Sequence, residues 1–269
     1  MKSLFFVFIV FMSFTVKAQE LFVFTEPASN MPAKSLGIRD MNAFMFEKDG
    51  KLNYHNMPEL MWGINKKWMV HVQGFISNRQ EGGLKAEGGS FYAKYRFLSK
   101  DAIQSHFRMA VYGRYSLNRA DIHQQEIETM GHNTGYETGL IATQLLHKVA
   151  ISSSVSYERA LDNKPGYKFP STESNSAVNY TLSVGKLLLP KVYKTFNQTN
   201  LNMMVELLGQ RLNDNGKSYL DIAPSIQFII NSQARIDIGY RQELYSTMKR
   251  TAPNGIVLKF EYTFFNVFK

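Results

Sequence analysis

The chain has 269 residues, 44% of them hydrophobic and 13% aromatic, with no cysteine and a formal charge of +9. Lack of cysteine excludes a disulfide framework and any thiolate nucleophile or ligand. A basic chain suits an anionic surface or solute. Here, though, lysine and arginine are spread along the sequence, which argues against nucleic acid and for a solvated or lipid-headgroup role.

Residues 1–18 have the pattern of a secretory signal peptide. Lys2 supplies the positive n-region, Leu4 to Val16 the apolar run, and Val16 and Ala18 the small residues of a cleavage site. The run is shorter than the roughly 20 apolar residues of a spanning helix, so cleavage is favoured over anchoring. Residues 19–35 contain FTEPASNMPAKS, where Pro27 and Pro32 keep the chain out of a sheet ladder. This segment is expected either to fold into a lumen as a plug or to hang as a periplasmic tether. Residues 36–269 show no linker or composition break and form one domain.

Across that domain helical periodicity is nearly absent. Alternation with a two-residue period recurs in segments of about ten residues, the pattern of membrane-barrel strands. Strands are predicted over 36–45, 57–64, 68–77, 89–98, 105–117, 135–146, 149–158, 175–186, 199–211, 218–230, 234–244 and 255–268. In WMVHVQGFIS, for example, Trp68, Val70, Val72 and Ile76 share one face, and His71 and Gln73 the other. The connections alternate as well. Those at 65–67, 99–104, 147–148 and 231–233 are short; those at 46–56, 78–88, 118–134, 159–174 and 245–254 are long and polar. Two connections break the rhythm, a long one at 187–198 and a short one at 212–217. Opposed residues of a hairpin share a face, so a three-residue turn at Asn231-Ser232-Gln233 pairs Phe228 with Ile236 and Ile226 with Ile238. The turn at Asn65-Lys66-Lys67 likewise pairs Ile64 with Trp68, Trp62 with Val70 and Leu60 with Val72.

The last strand, GIVLKFEYTFFNVFK, has one apolar and one charged face. It is expected to pair with its predecessor and with strand 36–45, leaving no open edge. The predicted fold is therefore all-β, a closed antiparallel transmembrane β-barrel of about 12 strands. The apolar face is assigned to lipid for two reasons. Single strands carry both signs of charge on the other face, and aromatics such as Trp68, Phe97, Phe107, Tyr115, Tyr157, Tyr240 and Phe264 sit near strand ends. With its signal peptide, the EPASNMPAKS segment, the strand and loop rhythm and the aromatic last strand, the chain resembles Gram-negative outer-membrane β-barrels. More narrowly, it is similar to transporter-like barrels grouped with the outer-membrane proteins of phenol-degradation meta-pathways. That resemblance implies outer-membrane localisation, lipid and lipopolysaccharide as surroundings, and the barrel-assembly machinery as a partner.

No catalytic constellation emerges. Ser105 and His106 are adjacent, so on a strand they point to opposite faces and form no dyad. The loop DIHQQEIETMGHN carries His123, Glu126, Glu128, Met130 and His132, donors that suit a transition metal. Their spacing matches no defined site, and the loop is expected to be solvated on the outside. No cofactor and no metal are expected. The expected function is a porin-like passive channel or transporter for a small solute, not an enzyme. A structural or surface-binding barrel without conductance is the alternative, and a membrane-embedded lipid-modifying enzyme the third reading. The lumen-lining candidates are His71, Lys94, Arg96, Arg108, Arg114, Glu158, Glu206, Arg235, Asp237, Arg241, Lys259 and Glu261.

Overall fold

A computed structural model describes residues 22–47, 50–79, 83–102, 105–164, 168–192 and 197–268. The predicted signal peptide lies outside the described residues. The strands are β1 (Ser35–Phe46), β2 (Leu52–Gly63), β3 (Trp68–Ser77), β4 (Lys85–Ala102), β5 (Ser105–Asn118) and β6 (Gly135–Leu146). They continue as β7 (Val149–Ala160), β8 (Ser176–Leu189), β9 (Asn200–Leu212), β10 (Ser218–Ile230), β11 (Ala234–Ser246) and β12 (Asn254–Phe264). Each pairs antiparallel with its chain neighbours, and β12 returns to β1, so the sheet is a closed barrel. The terminal strand has two partners: Phe260 lies opposite Ile236 on β11 and Asp40 on β1. No helix of the described residues is long and apolar enough to cross a membrane, a criterion that does not bear on crossing by strands.

The expected elements are present, with shifted limits. β2 begins at Leu52 and not at residue 57, because Asn53 and His55 face inward there and give the stretch no apolar rhythm. β12 stops at Phe264, where its last partner on β1, Leu36, is reached. The predicted pairs Phe228–Ile236, Ile226–Ile238, Trp62–Val70 and Leu60–Val72 are all present. The pair Ile64–Trp68 falls beyond the end of β2. Asn231 and Ser232 adopt φ of 51° and 56°, the left-handed conformation that closes the three-residue turn.

Alternation divides the wall into two chemistries. Leu60, Val72, Phe91, Leu140, Val155 and Phe260 point out and are roughly half exposed, whereas His71, Lys94, Glu206 and Asp237 point in and are buried. Outward aromatics gather near both rims: Trp62, Trp68, Phe97, Tyr262 and Phe264 at the short-turn end, and Tyr115, Tyr136, Tyr240 and Tyr245 at the other. This is an apolar band flanked by aromatic girdles. The connections alternate as expected except at the two places where the sequence breaks the rhythm, the long β8–β9 connection on the short-turn side and the short β9–β10 connection on the other; the β1–β2 connection, expected long, is also short at 47–51.

The lumen is occupied from both ends. Residues 22–34 precede β1 and run inside the barrel, where Val23 and Ala28 are fully buried. From the long-loop end, the β5–β6 loop (119–134) turns inward. The expectation of a solvated outer loop is corrected here: Ile127 and Thr129 are at most 1% exposed. Polar groups of the wall satisfy its backbone as water would have done.

Candidate functional site

The inner segment forms a floor. The Glu206 carboxylate accepts the backbone N–H groups of Val23 (2.9 Å), Phe24 (3.0 Å) and Thr25 (2.9 Å), and the Thr25 hydroxyl (2.7 Å). Lys94 Nζ donates to the carbonyls of Pro27 (2.7 Å) and Ser29 (2.9 Å), and Lys259 Nζ donates to Val23 O. Thr143 Oγ1 accepts the N–H of Ala28 at 2.9 Å, and Arg39 pairs with Glu26 at 3.0 Å. Two inward glycines seat the segment. A Cβ on Gly239 would lie 2.6 Å from the Phe24 ring, and one on Gly63 would lie 2.2 Å from the Pro32 carbonyl oxygen. Backbone polar groups with no sheet partner are thereby satisfied by wall side chains.

The 119–134 loop forms a roof. Its Glu126 is gripped by Arg250 (2.7 Å) and Arg241 (3.1 Å), both of which also bind Asp221 at 2.7 Å. Burial would push the Glu126 carboxyl up, but Arg250 and then Arg241 overrule it and lower its pKa to about 2. The Gln210 amide accepts the N–H of Ile127 (3.0 Å) and donates to its carbonyl (2.7 Å). Glu158 accepts the N–H of Thr129 at 2.6 Å.

Between floor and roof lies a chamber of about 200 Å³, bounded by Phe24, Thr25 and Glu26 on one side and by Glu126 to Met130 on the other. One wall is a run of consecutive register partners, His71, Tyr92, Arg114, Glu137 and Glu158, on β3 to β7. The His71 and Tyr92 rings are 4.9 Å apart, and the Arg114 guanidinium sits 5.1 Å from the Tyr92 centroid. Glu137 accepts the Tyr112 hydroxyl at 2.6 Å. From His71 an ion-paired belt continues round β2, β1, β12 and β11: His71 Nδ1 meets Glu59 at 2.6 Å, Arg39 binds Glu59 (3.0 Å) and Glu261 (2.9 Å), and Arg235 binds Glu261 (2.7 Å). Opposite charges on facing strands attract, and these pairs hold the belt together.

The predicted lumen residues divide by what they touch. His71, Arg114, Glu158, Arg241 and Lys259 border the chamber. Lys94 and Glu206 hold the floor, and Arg108 reaches Ser29 Oγ (2.8 Å) and Asp101 (2.9 Å) near the short-turn rim. Arg96 donates to the Lys66 carbonyl at 2.6 Å, at that same rim. Arg235, Asp237 and Glu261 belong to the belt, with Arg235 Nε 3.1 Å from Asp237. Sequence reasoning missed Glu26, Arg39, Glu59 and Tyr92. The Leu60–Val72 register already turns Glu59 inward opposite Gln73. Arg39 was hidden because β1 also turns Met41 and Ala43 inward, which blurs its alternation.

The closed barrel, apolar outside and polar within, has the fold of Gram-negative outer-membrane β-barrels. An outer-membrane channel from Pseudomonas putida F1 superposes with a TM-score of 0.57 at 11% identity, covering 89% of this chain and 100% of its own. A NanC porin structure aligns over 85% of this chain and 98% of its own, with a TM-score of 0.49 at 11% identity. No family model and no curated protein matches the sequence. At such identity the likeness concerns the fold alone.

Proposed function

We propose that the chain is a passive channel or transporter for a small solute in the outer membrane of a Gram-negative bacterium, shut by its own inner segment and inner loop. The observation that carries this reading is the chamber, lined by charged and polar side chains among others, between floor and roof inside a barrel that is apolar on its outer face. Side chains alone fill the interior of a barrel of about eight strands, and the diameter grows with strand number. In this 12-stranded barrel the space inside the wall is closed by a floor segment and by a roof whose Glu126 carboxylate lies between two guanidinium groups. Export would follow from residues 1–18, and lipid, lipopolysaccharide and the barrel-assembly machinery would be the surroundings and partner that such a location supplies.

Planar-bilayer recording of the purified barrel tests this. The intact protein is expected to give brief, small openings, and a variant lacking residues 22–32 a sustained current. Absence of current from both, when both show the heat-dependent gel mobility of folded barrels, would overturn the channel reading in favour of a surface-binding barrel.

A further inference from the structure

A second cavity, of about 90 Å³, lies between the β1–β2 wall and the tip of the roof loop. It shares Glu126, Glu128, Arg241 and Lys259 with the chamber but adds a histidine pair and further thioethers. Alternation turns Met41, Ala43 and Met45 inward on β1, and Asn53, His55 and Met57 inward on β2. The register sets Met41 opposite Met57 and Ala43 opposite His55. The small Ala43 side chain leaves space beside that imidazole.

The loop lays Met130-Gly131-His132 over this patch. The tripeptide is fixed in place because the Gly131 carbonyl accepts Arg79 (2.7 Å) and Asn118 (2.9 Å). The His55 and His132 rings lie 4.8 Å apart. Gly131 has φ of 115°, and a Cβ there would sit 3.7 Å from Met57 Sδ and 3.8 Å from His55 Nδ1. The positive φ is what calls for glycine, and Met57 Sδ and His55 Nδ1 both lie within van der Waals reach of the same point beside it. Glu128 Oε2 is 2.6 Å from His132 Nδ1. A carboxylate on one ring nitrogen orients the imidazole and leaves the other nitrogen as the basic ligand.

Thioethers are soft donors that select monovalent copper over harder cations, and imidazole, a borderline donor, suits copper as well. Among the described residues no group of three or more His, Asp or Glu side chains converges for such a harder ion. Methionine alone would serve to fill space beneath a loop; the imidazole pair set against the thioethers is what packing does not call for. The geometry points to a soft-metal site in the outer lumen that takes copper(I) or its analogue silver(I), with Met57, Met130, His55 and His132 as ligands. Met41 and Met45 are adjacent thioethers in the same cavity.

The experiment is titration of the purified barrel in detergent with silver(I), read by competition with a chromogenic chelator, and with zinc(II) alongside. One equivalent of silver should bind, and zinc should not. Mutating even a group that only supports a ligand typically costs about 10–100-fold in metal affinity, so the volume-conserving double variant Met57→Leu/Met130→Leu, which removes two ligands, should bind silver at least about tenfold more weakly. Met204→Leu, at the floor, should match the unsubstituted barrel. X-ray absorption should report sulfur and nitrogen neighbours around the bound metal. No silver uptake, or equal uptake by the double variant and the unsubstituted barrel, overturns the proposal. A barrel that binds silver in this way but never conducts keeps the site and loses the channel reading, so the two fail separately.

Discussion

Glu206→Ala is the perturbation that tests the floor most directly. One carboxylate holds the backbone N–H groups of three successive residues, Val23, Phe24 and Thr25. Hydrogen bonds to a charged group contribute about 1.5–3 kcal/mol each. Lumen water would re-solvate part of what the substitution exposes, so a working value of about 1 kcal/mol for each of three bonds gives about 3 kcal/mol. At about 1.4 kcal/mol per tenfold, the balance between a seated and a withdrawn segment moves by about a hundredfold toward withdrawal. Gly239→Leu attacks the same seat from another wall, because even a Cβ at that position meets the Phe24 ring at 2.6 Å. The assay is open probability in planar bilayers, together with protease cleavage inside residues 22–32. Both variants should open more often and be cut faster. Unchanged gating and unchanged protection in both, with the barrel still folded, would refute the argument that this segment is held by Glu206 and by the space above Gly239.

Two further outcomes are expected. Val72 is 57% exposed on the outer face, so Val72→Arg should impair assembly by about 2–4 kcal/mol if it lies near mid-bilayer, whereas Ser154→Lys, on the chamber wall, should assemble. Equal behaviour in a heat-modifiability assay would show that the faces are misassigned. Glu126→Ala should free the roof, because Arg241 and Arg250 lose the loop carboxylate they share and keep the wall carboxylates alone, Asp221 for both and Glu243 for Arg250. Hydrogen exchange at the Ile127 and Thr129 amides should then accelerate by at least about tenfold, the equivalent of about 1.4 kcal/mol, and unaltered protection would mean that the loop is secured without Glu126, by Gln210, Glu158 and the bonds to the Gly131 carbonyl.

The sequence by itself determined the wall. Side-chain direction alternates with a period of two in any strand, so Val72 against His71, or Phe260 against Lys259, is decided locally. Hairpin registers follow from the same parity, as the Phe228–Ile236 and Leu60–Val72 pairs show. A last strand with one apolar and one charged face could be given a closing partner because an open edge is costly. Only the tertiary structure decided what fills the barrel. Glu206 and Val23 are 183 positions apart, and Arg250 and Glu126 are 124 apart, separations that no local pattern encodes. Residues 19–35 fit a tether as well as a plug, because two prolines exclude a strand without naming a location. The loop around Glu126 read as solvated because its histidines, glutamates and glutamines look alike whether water or wall satisfies them. The partners that settle the matter, Arg241, Arg250, Gln210 and Glu158, come together only when the sheet closes.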